Sequence, residues 1–137
     1  MNNKRISIDT NILVYSIDAD ASDRHERSKQ LVDEAVDKNC VLTLQALSEF
    51  YWAVTRKGKM PHDDAQAQVA DWQLLFPIVM ARPSTLRMAI TAVVDHKLAF
   101  WDAMMWATAR QNGVDILFSE DFQDGQNIGG VQIRNPL

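Results

Sequence analysis

Carboxylates are the chemically capable groups in this chain of 137 residues, and 14 of its 18 acids are aspartate. Aspartate is poor in helix interiors and good at helix starts, turns and hard-cation sites, so placement matters more than number. Four acids stand out by the segments they occupy. Asp9 ends an N-terminal β-branched run, Glu49 follows a second apolar run, Asp102 opens a helical pattern, and Asp121 follows a late apolar run. No softer donor set competes with them. Cys40 is the one cysteine, which excludes an internal disulfide framework and multi-cysteine zinc or iron–sulfur sites. His25, His62 and His96 lack the four-residue spacing of a helical zinc pair. Clustered oxygen ligands of this kind suit Mg²⁺ or Mn²⁺. Two such ions roughly 3.5–4 Å apart activate water and stabilise the leaving oxygen in phosphodiester hydrolysis.

The elements that position these acids can be read along the chain. Residues 5–9 (Arg-Ile-Ser-Ile-Asp) predict a first strand, followed by a helical turn at Ile12–Tyr15 and a loop over 16–22. A helix is expected over 23–38, with Asp23 and Glu26 as a capping box and Leu31, Val32, Ala35 and Val36 as its apolar stripe. The run Cys40–Leu44 reads as a second strand buried on both faces, and a helix from Gln45 ends near Arg56–Lys59. Another helix runs from Pro61 to Leu75, and Phe76–Ala81 is a third strand candidate. Ser84 is expected to cap the next helix, and a further one runs from Trp101 to Asn112 with Gly113 as its stop. Val114–Phe118 and Val131–Ile133 complete the strands. Alternating strands and helices predict a three-layer α/β/α fold, a mostly parallel four- to five-stranded sheet with helices on both faces. Neither a repeat nor a composition break divides the chain, so one domain over 1–137 is expected.

Parallel sheets bind ligands beyond the carboxyl ends of their strands. Asp9 and Asp121 follow strand ends there, and Glu49 and Asp102 lie in the first turns of helices that start at that edge. Each acid alone has an ordinary explanation as a turn former, a solvated helix residue or a charge complementing a helix dipole. Together they form a like-charge cluster, which costs stability unless a cation neutralises it or its pKa values rise. The net charge of −4 is opposite in sign to that of most nucleic-acid binders. Two divalent ions would bring it to zero, so it does not exclude a nucleic-acid substrate. The start of the chain turns polar too soon for a signal-peptide core, and its longest apolar run, Leu74–Ala81, is too short to span a membrane. A cytoplasmic protein without membrane attachment is expected.

Asp9-Thr10-Asn11 after a strand, Glu49 after Leu-Thr-Leu-Gln-Ala-Leu-Ser, Trp101-Asp102-Ala103 opening a helix, and Ser119-Glu-Asp-Phe-Gln-Asp-Gly125 together resemble the PIN-domain family. The similarity is greatest to its small VapC-type toxins of toxin–antitoxin pairs and runs from Ile6 to about Ile133. The resemblance implies a PIN-like nuclease domain that hydrolyses RNA with one or two Mg²⁺ ions, Mn²⁺ substituting, as a homodimer restrained by a cognate antitoxin. It assigns Asp9, Glu49, Asp102 and Asp121 as the catalytic acids and metal ligands, with Asn11 and Ser119 orienting them. The fourth place is taken at Asp121, with Glu120 and Asp124 as alternatives. The other functional class is a catalytically silent PIN-fold module that binds RNA or protein.

Two other phosphoryl-transfer readings fit less well. A haloacid-dehalogenase-like site wants Asp-x-Asp, and position 11 is Asn; a receiver domain wants an acidic pair after strand one and a phospho-accepting Asp after strand three, and neither is present. The basic residues Arg56, Lys57 and Lys59 are expected to complement a helix end rather than to bind phosphate. Arg24, Arg27 and Lys29 are expected on a solvated helix face. Of the four tryptophans, Trp52, Trp72 and Trp106 are expected in core or interface packing, with Trp101 the candidate for base stacking.

Overall fold

The computed structural model describes residues 3–137; Met1 and Asn2, where the stretch read for a signal core begins, lie outside them. Strand β1 (Ile6–Ile8) is wholly buried and leads directly into helix α1 (Thr10–Ile17), capped at Asp9. The single helical turn expected after the strand is thus a full helix, because Ile12, Leu13 and Val14 all pack inward. A short 3-10 turn (Ala19–Ala21) precedes α2 (Asp23–Ala35). The expected capping box is absent: Asp23 already lies inside α2, and Ser22 precedes it at φ 55° without a side-chain cap bond. Strand β2 is only Leu42–Thr43, shorter than the apolar run, because Thr43 caps α3 (Leu44–Arg56) by accepting from the Ala46 N–H.

Helix α4 (His62–Leu75) leads to β3 (Ile78–Val79), and α5 (Pro83–His96) follows. Ser84 does not cap α5. Pro83 is its first residue, where a preset φ and a missing N–H cost nothing, and the Thr85 hydroxyl accepts from the Arg82 N–H at 2.9 Å. Helix α6 (Phe100–Gln111) feeds β4 (Ile116–Phe118), and β5 (Asn127–Ile128) with β6 (Val131–Arg134) closes the chain. The β5–β6 hairpin was not legible as two strands because β5 has two residues; Gly129 and Gly130, both at positive φ, make its tight turn.

The central sheet has the order β1-β4-β6-β5, parallel except for β5 against β6. The parallel pair β2–β3 is tied to it by the Ile6–Cys40 bridge, with the Val41 N–H donating to the Ile6 carbonyl at 3.0 Å. Ile8, Leu42, Leu117 and Ile133 from the strands meet Ile12, Leu13, Phe50, Val54, Trp72 and Trp106 from the helices in one core. The mixed α/β architecture expected from the sequence is the one observed.

Candidate active site

β1 and β4 run side by side, with Ile8 opposite Phe118, so both chains leave the sheet at the same edge. Asp9 follows the first and Ser119-Glu120-Asp121 the second. Asp9 is 5% exposed, and every oxygen of its carboxyl is engaged. Oδ1 accepts from the Thr10 N–H at 2.7 Å, and Oδ2 accepts from the Ser119 hydroxyl at 2.7 Å. The same hydroxyl accepts from the Asp121 N–H at 3.1 Å, so one serine fixes two of the acids.

Glu49 reaches the site from α3 and Asp102 from the first turn of α6. The Thr10 hydroxyl and the Gln45 amide both donate to Glu49 Oε1 at 3.1 Å. Gln45 also donates to the Trp101 carbonyl at 3.0 Å, tying α3 to the start of α6. Asn11 donates to Asp121 at 3.3 Å and to Glu120 at 3.4 Å. Asp9, Glu49, Asp102 and Asp121 line one cavity of about 210 Å³ together with Asn11.

The alternatives for the fourth place stand elsewhere. Asp124 accepts from the Asn135 N–H at 2.9 Å, outside this cavity. Glu120 accepts from the Tyr15 hydroxyl at 2.6 Å, and that contact with burial pushes the tyrosine up to about 12, so it stays a donor.

Electrostatics mark the cluster. Burial pushes the Asp9 carboxyl up to about 7, against the two hydrogen bonds that favour its charged form; the charges of Asp121 and Asp102 add to the rise. Burial, then the charges of Asp121 and Glu49, push Asp102 up to about 6. Asp121 is raised by burial and by the charge of Glu120, while the hydrogen bond that Asn11 donates to it opposes the shift. The ion pairs Lys29–Asp33 and Lys59–Asp18 leave all four acids out.

Among the described residues, no three His, Cys, Asp or Glu side chains form a ready-made metal cage. The donors are carboxylates, with Asn11 beside them, and they ring the cavity rather than converge on a point. Mg²⁺ suits such an arrangement, since it takes one or two carboxylates and keeps several waters.

Thr10 and Gln45, which hold Glu49, were given no such role from the sequence; Arg56 and Lys57, expected to complement a helix end rather than to bind phosphate, line the acidic cavity. Trp52 is 59% exposed beside it rather than in the core, and Trp101 is 61% exposed, whereas Trp72 and Trp106 are buried as expected. The missed signal is a helical stripe: Gln45, Glu49, Trp52 and Arg56 recur at i, i+4, i+7 and i+11. Arg24, Arg27 and Lys29 lie on the exposed face of α2, outside the acidic cavity, as expected.

No curated protein matches the chain. Solved structures do. The VapC20 toxin of Mycobacterium tuberculosis, described as cleaving the sarcin–ricin loop, is similar at TM-score 0.68 and 20% identity, over 86% of this chain and 91% of that one. A toxin–antitoxin complex from Klebsiella pneumoniae is similar at TM-score 0.69 and 22% identity, over 96% and 98%. The DNA-bound VapBC complex of Salmonella typhimurium is similar at TM-score 0.70 and 14% identity, over 98% and 99%. At these identities the likeness is one of fold. The family model for the PIN domain matches residues 6–123, which include all four acids and the strands and helices that carry them, and end just past Asp121. With that match over most of its length, the chain belongs to the PIN domain family.

Proposed function

We propose that this chain is a divalent-metal-dependent endoribonuclease and the toxin of a toxin–antitoxin pair. The observation that carries the reading is the delivery of four carboxylates, from four separate segments, to one cavity, with the pKa values of Asp9, Asp102 and Asp121 raised. A fold has no structural use for that repulsion, and a bound cation relieves it. The chemistry supplied by a bound Mg²⁺ or Mn²⁺ is activation of the attacking water and neutralisation of charge on the departing oxygen. Asp9 and Asp102 are the central ligands, and Glu49 and Asp121 complete the set. Ser119 and Thr10 hold Asp9 and Glu49 in fixed rotamers, and Asn11 steadies Asp121. RNA as substrate is supported by the similar toxin described as cutting the sarcin–ricin loop. A cognate antitoxin belongs to the same reading, supported by the toxin–antitoxin complexes of like fold. So does a homodimer, which sedimentation equilibrium of the purified chain checks.

The test is cleavage of a mixed, structured RNA pool with Mg²⁺, Mn²⁺ or EDTA, with Asp102→Asn purified in parallel. Metal-dependent cutting that the variant lacks is expected. Equal cutting by both preparations, or none by either after separation from any bound antitoxin, sinks the nuclease and leaves a binding module.

A further inference from the structure

A second concavity opens beside the acidic cavity, between α3 and α6. It measures about 690 Å³, within the range of small-ligand sites, and is lined chiefly by apolar surface from Leu44, Trp52, Trp101 and Met104. Its walls are two helical stripes, 44/48/52 on α3 and 101/104/108 on α6. Gln45, Glu49, Trp52 and Trp101 border both this cleft and the acidic cavity, so the two are continuous. Two large aromatic side chains, each more than half exposed, stand where they bury little and cost solubility. The Arg56 guanidinium lies over the Trp52 ring at 4.0 Å and, with Lys57, faces the acidic cavity. Aromatic faces beside cations, adjoining a site for phosphodiester chemistry, match what single-stranded nucleic acid requires.

We propose that the α3–α6 cleft is a subsite for unpaired nucleobases of the RNA whose backbone is cut in the adjoining acidic cavity, with Trp52 and Trp101 as stacking platforms and Arg56 and Lys57 on the phosphates. The proposal rests on the nuclease reading and specifies its substrate as RNA single-stranded at the cut. Base pairs stacked inside a duplex present no free face to either tryptophan, so the subsite favours unpaired RNA. The charge pattern favours this occupant over an apolar peptide or a second copy, because the cleft adjoins the cavity that Arg56, Lys57 and the acids line.

The experiment is a titration of the intact protein with an unstructured 12-nucleotide RNA, the same RNA carrying abasic sites, and a hairpin duplex. It is read by tryptophan fluorescence in EDTA and again with Ca²⁺. Trp72 and Trp106 are buried, so quenching reports the two exposed rings. Single-stranded RNA is expected to quench and the duplex is not. Trp52→Leu and Trp101→Leu should each weaken binding roughly ten-fold, Trp→Phe should restore most of it, and the abasic RNA should be insensitive to all of them. Arg56→Gln should lower the salt dependence by about one ion, which the tryptophan variants leave unchanged. Equal binding of normal and abasic RNA by the tryptophan variants and the parent overturns the subsite, as does absence of quenching in both conditions. So does loss of a dimer in Trp52→Leu with RNA binding intact, which would make the cleft an interface between copies. Stacking without metal-dependent cleavage would instead sink the nuclease reading and keep the subsite, so the two failures are distinguishable.

Discussion

Asp9 is held in a contest between burial, which disfavours its charge, and two hydrogen bonds that favour it. Replacing it with asparagine keeps a carbonyl acceptor for the Thr10 N–H and removes a charge from the cluster. Asp9→Asn and Asp102→Asn are therefore expected to abolish RNA cleavage while leaving stability unchanged or raised. Urea unfolding beside the cleavage assay checks this; unfolding of either variant would mark a structural acid. Ser119→Ala behaves oppositely. It strips a donor from Asp9 and an acceptor from the Asp121 N–H, both at a buried position. A loss of about 1–3 kcal/mol in urea unfolding is expected, with weakened cleavage, since Asp9 then loses a bond that favours its charged form. Among these residues the acids were legible in the sequence because each follows or opens a recognisable element. Thr10 was not, because a hydrogen bond onto Glu49 from another segment has no sequence period, whereas Gln45 stands one helical turn before Glu49 on α3.

At the scale of elements, the site depends on where α3 begins. Thr43 is the last residue of β2 and the cap of α3 at once, and it is fully buried. Its hydroxyl also donates to Met105 on α6 at 3.1 Å. Thr43→Ala should cost about 1–2 kcal/mol by chemical denaturation and reduce cleavage more than binding, because the first two turns of α3 carry Gln45 and Glu49. Thr43→Ser should recover most of the loss; equal loss in both would mean that methyl packing, not the cap, matters. Elements of strong period were legible: α2 through α6 lie where their apolar stripes place them. Caps were less so, because Asp23 and Ser84 each carry a plausible capping side chain while the cap position falls one residue before the first and two before the second. The β5 strand, two residues long, has too little pattern to be read at all.

For the molecule as a whole, the raised carboxyls predict how stability follows pH. Asp9 and Asp102 hold their protons in the folded protein until about pH 7 and about pH 6, while in the unfolded chain they release them near the ordinary value of 3.8. Their contribution is fully present below about pH 4 and lost as pH rises through 6 to 7. Metal-free protein should therefore lose on the order of a few kcal/mol between pH 4.5 and 8 relative to Asp9→Asn, whose curve should be flatter. Saturating Mg²⁺ at pH 8 should restore stability, by about 2.7 kcal/mol at a hundred times the dissociation constant. Thermal unfolding at several pH values, with EDTA or Mg²⁺, measures both. A flat metal-free profile, or no Mg²⁺ shift, would count against a cation site.

By itself the sequence determined the fold class, the edge of the sheet at which the four acids gather and the acids brought there, since strand and helix periods and the parallel crossover rule fix which ends coincide. Only the tertiary structure decided between Asp121, Glu120 and Asp124 as occupants of the cavity. They lie within a turn of one another in sequence, and their side-chain directions depend on partners, Asn11, Tyr15 and Asn135, that come from distant segments. It likewise decided which tryptophans are buried, because a helix period shows that Trp52 and Glu49 share a face but not whether another element covers that face.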